Sequence, residues 1–160
     1  MARFTMRGME EYELKLSKLA SGSKAAGGKA VYAAAAIVAD EVRKGINALP
    51  ERSGYGTPEH PVRGVTKRGK QGLLDGFGIS KMEETDGYLH VKLGFDGYNS
   101  IKTDKYPQGQ PNQLVARGVE SGASWIEKTP FVRPAMRKTQ KSAVKAMQNI
   151  IDEETEKIMG

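Results

Sequence analysis

Two histidines, the adjacent carboxylates Glu83 and Glu84 near a turn and a group of glycines are the residues of this chain whose types suit chemistry. His60 stands between Glu59 and Pro61 in a stretch rich in structure breakers, and His90 alternates onto the polar face of a strand pattern. Neither belongs to a metal-ligand spacing, and a lone surface histidine is an ordinary feature of a folded protein. Glu83 and Glu84 are neighbours near a turn, so in an extended chain their carboxylates point to opposite faces, which is wrong for paired acid and base work. Gly64, Gly69 and Gly72 make no phosphate-binding loop, because no G-K-S or G-K-T follows them and no strand precedes them. Cysteine is absent, which removes disulfides, thiolate ligands and a thiol nucleophile together. The expectation is a protein that is not an enzyme, with no catalytic residue, metal, cofactor or small-molecule substrate.

The elements around these residues belong to one domain, since 160 residues suffice for a single core and not for two substantial ones. Apolar residues make up 38% and aromatics 7%, with 19 glycines, so the core is small for the length. The formal net charge of +6 favours anionic company and bears on association before fold. No run approaches the roughly 20 apolar residues that cross a bilayer. The opening M-A-R-F-T-M-R-G lacks the apolar stretch of a signal peptide. A cytosolic protein with no membrane partner is expected.

The fold expected is α+β: a small antiparallel sheet of about three or four strands packed against a long N-terminal helix and a long C-terminal helix. Residues 9–49 read as helical. Met9, Tyr12, Leu16 and Leu19 recur at three- and four-residue steps, and so do Val31, Ala35, Val38, Val42, Gly45 and Leu49. Between these runs, Ser21-Gly22-Ser23 and Gly27-Gly28 predict a break or hinge, because an interior glycine costs about 1 kcal/mol of helix relative to alanine. Pro50 ends the pattern. Residues 50–72 read as a long, flexible basic loop in which Arg52, Arg63, Lys67, Arg68 and Lys70 outnumber Glu51 and Glu59. These five are the candidate DNA-facing residues.

A β-hairpin is expected over 73–95. Leu89, Val91, Leu93 and Phe95 alternate with polar neighbours, Phe77 and Ile79 start the partner strand, and Asp86-Gly87 is the turn. Residues 96–112 read as a second loop, whose Tyr98, Ile101 and Tyr106 are candidates for an assembly interface. A strand over 113–120 is expected to join the hairpin, ending near Glu120, before a helix over 131–158. Pro130 and Pro134 mark the first turn of that helix, where proline is tolerated. Phe131 between them, together with Pro134, is the expected structural anchor, with Phe131 buried between helix and sheet. Met136, Ala143, Met147, Ile150, Ile151 and Ile158 project onto one face of the helix, and Arg137, Lys138, Lys141 and Lys145 onto the other. Asp152, Glu153, Glu154 and Glu156 crowd its C-terminal end, where the macrodipole disfavours them, so the end frays unless a partner pairs with it. From sequence Glu120 has two readings: a buried carboxylate that accepts backbone or Arg bonds, or an exposed interface residue.

The order Val119-Glu120-Ser121-Gly122, a short gap, then Pro130-Phe131-Val132-Arg133-Pro134-Ala135 resembles the signature of a minor structural protein family of lambdoid tailed phages, the head-to-tail joining or tail-completion proteins. Gly72-Leu73 ahead of a strand is weaker support, and the resemblance covers residues 49–137. The family often has threonine after the glycine, where this chain has Ala123, and the loop before Gly72 is long. The resemblance implies a non-enzymatic component of the ring between capsid and tail. Its partners would be copies of itself and other connector or tail proteins, with non-specific contact to DNA. It would be found in the host bacterial cytoplasm during assembly and then in the virion. A free-standing basic nucleic-acid-binding domain is the alternative. It calls for aromatics interleaved with basic residues on a sheet face, whereas the basic loop has only Tyr55 nearby and the polar face of the best strand only Tyr88.

Overall fold

Two long helices set the dimensions of the molecule. In the computed structural model, which describes residues 9–160, α1 (Met9–Ala48) and α4 (Val132–Met159) pack along each other. They run antiparallel: Gly22 of α1 lies against Ile158, and Gly45 lies against Phe131 just ahead of α4. Between them the chain forms β1 (Glu51–Arg52), β2 (Val65–Thr66), α2 (Lys67–Gly76), β3 (Phe77–Ile79), β4 (Glu83–Thr85), β5 (Tyr88–His90), β6 (Leu93–Phe95) and α3 (Asn112–Ser121). The class is α+β, with the two long helices packed together. The expected sheet of three or four strands does not form. β3 pairs with β6 and β4 with β5, both antiparallel, while β1 and β2 form a separate parallel pair.

The glycines of α1 do not hinge it. The helix runs unbroken through Gly22, Gly27 and Gly28, and the first two are points of close approach. A Cβ at Gly22 would stand 3.1 Å from Ile158 Cδ1, and one at Gly27 3.1 Å from Leu89 Cδ1. The helix propensity that glycine loses is offset by packing against α4 and the hairpin. The expected fraying of the acidic end of α4 also meets a local answer. Glu154 accepts hydrogen bonds from Lys157 at 2.9 Å and from Lys29 of α1 at 3.1 Å, and these two lysines hold its carboxyl below the usual range.

The hairpin turns at Asp86-Gly87, both with positive φ (51° and 81°), as a two-residue turn of the primed type requires. It is not one ladder. Phe77 faces Phe95 and Ile79 faces Leu93, but Glu83 faces His90, so the register slips by one residue between the two pieces. The extra residue is a β-bulge around 80–82. Ser80 spans it, with its backbone amide donating to the Lys92 carbonyl and its hydroxyl accepting from the Lys92 amide. The strict alternation expected over 88–95 therefore fails at Leu93, which is exposed, while Leu89, Val91 and Phe95 are half-buried.

The core lies where α1 ends. Val42, Ile46 and Leu49 meet Val65, Leu73, Phe77, Val119 and Phe131 in one apolar cluster. Phe77, Phe95 and Phe131 form a chain of rings, with centroids 5.1 Å and 6.0 Å apart, within the range of favourable aromatic pairs. On α4 the buried stripe is Ala135, Thr139 and Ala143, at four-residue steps, with Met147, Ile150 and Ile158 half-buried. Met136 and Ile151, assigned to that face from sequence, are exposed.

Candidate functional site

Residues 113–120, expected as a strand, form most of α3 instead. Val115 and Val119 are β-favouring, but at four-residue spacing with Ala116 they also suit one face of a short helix. The local pattern left both states open, and packing on α2 and the core decided for helix. Gly122 ends α3 with φ +79°, a conformation suited to glycine. A turn held by reciprocal Ala123 and Ile126 backbone bonds then leads to the Thr129 amide, which donates to the Val119 carbonyl at 2.8 Å.

This corner brings Glu120 to the start of α4. Its Oε2 accepts from the amides of Phe131 at 2.7 Å and Val132 at 2.8 Å, and its Oε1 from the amide of Arg133 at 3.0 Å. These amides belong to the helix's first turn, which has no intrahelical partners. Phe131, at the N-cap position, has no side-chain oxygen to serve them. Glu120 supplies the cap from another element and places a negative charge at the positive end of the helix dipole. Burial alone would push its carboxyl up, but the amides of Val132, Phe131 and Arg133, helped by the Arg133 charge, hold it below the usual value. Of the two readings of Glu120, the geometry is that of the hydrogen-bonded carboxylate.

Phe131 is 4% exposed and packs edge-on to Phe95, and its backbone lies so close to Gly45 that a Cβ there would be 3.2 Å from the Phe131 carbonyl. It is the buried anchor between helix and hairpin. Pro134 is exposed in the first turn of α4, beside a smaller groove that Arg63 also lines.

A larger groove of about 550 Å³ opens beside the corner. Val65, Leu114, Val119 and Ile126 give it apolar walls, and Tyr55, Tyr106 and Trp125 are its aromatics. Arg52, Lys105 and Arg117 are cationic, and among the described residues no carboxylate lines it. Trp125 and Leu114 are each 47% exposed, a large apolar surface left facing solvent.

The structure disperses the five basic residues expected to form one arm. The segment 50–72 is not a loop without secondary structure: β1 pairs with β2, α2 begins at Lys67, and Val62 is strapped to the corner through the Trp125 carbonyl and the Glu127 amide. Arg52 donates to the carbonyls of Gly64 and Gly54. Lys70 donates to the Asn47 carbonyl at 3.2 Å and pairs with Glu51 at 3.3 Å. Lys67 and Arg68 are exposed in the first turn of α2, and Arg63 lies at the smaller groove. Of the interface candidates, Ile101 and Tyr106 line the large groove, and Tyr98 is exposed outside it. Glu83 and Glu84 point apart, Glu83 to Lys92 and His90, Glu84 to Lys24. No three His, Asp or Glu side chains come together as metal ligands among the described residues.

Asn99 and Asn112 carry more of the local structure than their sequence context suggested. Asn99 Oδ1 accepts from the amides of Ile101 and Gln110, and Asn112 Nδ2 donates to the Asp96 carbonyl at 2.8 Å. They fix the 96–112 loop against Gly72, where a Cβ would stand 2.5 Å from Asn112 Oδ1. The signal was a pair of asparagines bracketing a Gly- and Pro-rich stretch, the residue type that bonds backbone locally. Compared with family models, curated proteins and solved structures, the chain shows no match.

Proposed function

We propose that this chain is a non-enzymatic virion assembly protein of a tailed phage or prophage, one subunit of the head-tail connector or tail-completion ring. The observation that carries the reading is the corner. The residues of the phage-family resemblance, Glu120, Gly122 and the run from Pro130 to Ala135, are separate in sequence yet meet in one capped joint. A signature that defines how two helices are joined is what a structural subunit has reason to keep. Its partners are further copies and other connector or tail proteins, and it passes from the host bacterial cytoplasm into the virion. Contact with DNA is non-specific and weak, through Arg63, Lys67 and Arg68, since Arg52 and Lys70 already serve carbonyls and Glu51. Its affinity falls steeply with salt.

The test is imaging of purified capsids and tails of the encoding phage, prepared without this protein and then supplied with it. Rings at one particle end are expected. Particles that mature normally without the chain, or turnover of a small substrate lost on a point change in the groove, would overturn the reading.

One observation favours a second reading. The groove sets Tyr55, Tyr106 and Trp125 beside Arg52, Lys105 and Arg117, an interleaving that suits single-stranded nucleic acid, although on helices and loops and not on a sheet face. Binding of a short single-stranded oligonucleotide, lost in Trp125→Ala, would support it.

A further inference from the structure

Residues 9–21 of α1 extend beyond the last turn of α4, because Ile158, one residue before the end of α4, already lies at Gly22. At 1.5 Å per residue this is an arm of about 20 Å. No residue from 10 to 25 is buried, and Tyr12 is 53% exposed, Leu14 55% and Leu16 43%. Tyr12, Leu16 and Leu19 share one helical face at four- and three-residue steps, with Glu11 and Glu13 on its two sides. Glu10, Glu11 and Glu13 concentrate negative charge at the start of the helix, ahead of Lys15, which pairs with Glu11 at 3.1 Å, and Lys18. Arg3 and Arg7 precede this segment in sequence and lie outside the described residues.

We infer that this arm docks into the large groove of a second copy of the chain, with Tyr12 and Leu16 against Leu114 and Trp125, and Glu11 and Glu13 facing Lys105 and Arg117. The inference deepens the ring reading and rests on it. Charge and shape agree over the first turns of the arm: an amphipathic helix that opens on Glu10, Glu11 and Glu13 meets an apolar groove that carries cations and, among the described residues, no carboxylate, the helix-in-groove mode of recognition, and Glu11 gives up only its exposed pair with Lys15. Position agrees as well. Arg52 and Val65 hold the groove to the C-terminal end of α1, where the Val65 amide bonds to the Pro50 carbonyl at 2.9 Å. The arm is the opposite end of an unbroken helix of 40 residues, its Tyr12 and Leu16 about 50 Å away, and cannot fold back. A contact between two different, distant surfaces is heterologous, so it repeats from copy to copy and closes into a ring or grows as a filament. Nucleic acid fits the groove less well, because the Arg52 guanidinium is engaged by two carbonyls and much of the lining is apolar.

The absence of native cysteine makes the test clean. Leu16→Cys combined with Leu114→Cys in the full chain, oxidised at millimolar protein, is expected to give a ladder of disulfide-linked multimers. Leu16→Cys with Val144→Cys, an exposed position on α4, is expected to give none. Adding Lys105→Glu and Arg117→Glu should weaken the ladder at least tenfold, and further adding Glu11→Lys and Glu13→Lys should restore it. Sedimentation of the parent chain separates the two failures. Multimers without the ladder overturn the docking and leave the ring reading standing, whereas the ladder with no incorporation into particles supports the docking and sinks the ring reading. A chain that neither multimerises nor cross-links overturns the docking. So does a single-stranded oligonucleotide that shields the thiol of the Leu114→Cys variant from alkylation while deletion of residues 1–21 changes nothing.

Discussion

The two ends of α1 carry the same kind of apolar periodicity and meet opposite fates. From Ala26 to Leu49 the face is buried through Ala30, Ala35, Ala39, Val42, Ile46 and Leu49, while from 10 to 25 nothing is buried. Spacing tells which residues share a face, but covering that face needs a partner whose length matches. α4 has 28 residues against the 40 of α1, so one helix outruns the other. The residue types differ accordingly. The covered end is mostly small, which lets α4 and the hairpin approach, and the bare end carries Tyr12, Leu14 and Leu16, side chains large enough to fill a groove.

The largest expected effect belongs to the covered end. Phe131→Ala removes the ring that touches Phe95, and a cavity of that size in a core costs about 3 to 5 kcal/mol. Denaturant unfolding followed by circular dichroism would measure it. A midpoint equal to the parent's would mean that the packed end does not dominate stability, and the contrast between the ends would collapse.

Sequence legibility follows the same division. Helix boundaries set by proline were readable: Pro50 closes α1, and the Pro130 to Pro134 run opens α4 around Phe131. The turn at Asp86-Gly87 was equally plain, because few residue pairs tolerate positive φ. What could not be read was settled by neighbours distant in sequence. Val115 and Val119 fit strand or helix, and the glycines of α1 look like a hinge until Ile158 and Leu89 are seen against them. Lys70 looks like part of a loose arm until Glu51 and the Asn47 carbonyl take it. The groove was legible only in fragments, since Ile101 and Tyr106 were visible as interface candidates and Leu114 was placed on a strand. Strands of two residues such as β1 and β2 have too little pattern to predict.

Glu120→Gln sharpens the comparison at the corner that fixes the packed end. Glutamine keeps the shape but loses the charge and one of two accepting oxygens facing three amides, at a cost of about 1 to 3 kcal/mol. The pH dependence has a definite sign. The folded carboxyl lies below the ordinary value of 4.5, so the unfolded chain takes up a proton first on acidification. The contribution of Glu120 is full above about pH 4.5 and is lost as pH falls through the lower folded value. The difference in stability between parent and variant should therefore shrink as the pH is taken below 4.5, and a difference that stays constant would show that the charge does not act through the cap.

The smallest expected effect is the most discriminating. Replacing Tyr12 and Leu16 by Ser removes two large apolar side chains that are about half exposed and have no covering partner among the described residues. Surface changes of this kind fall within about 0.5 kcal/mol of neutral, so dilute monomer should unfold at the parent's midpoint. The same variant at millimolar protein should lose self-association, because the face it erases is the one assigned to the neighbouring groove. A clear loss of monomer stability would mean that the arm is covered within its own chain, and the two ends of α1 would then differ in degree only. An unchanged midpoint with abolished association would tie the bare periodicity of the arm to contact between copies, as the buried periodicity of the other end is tied to contact within one.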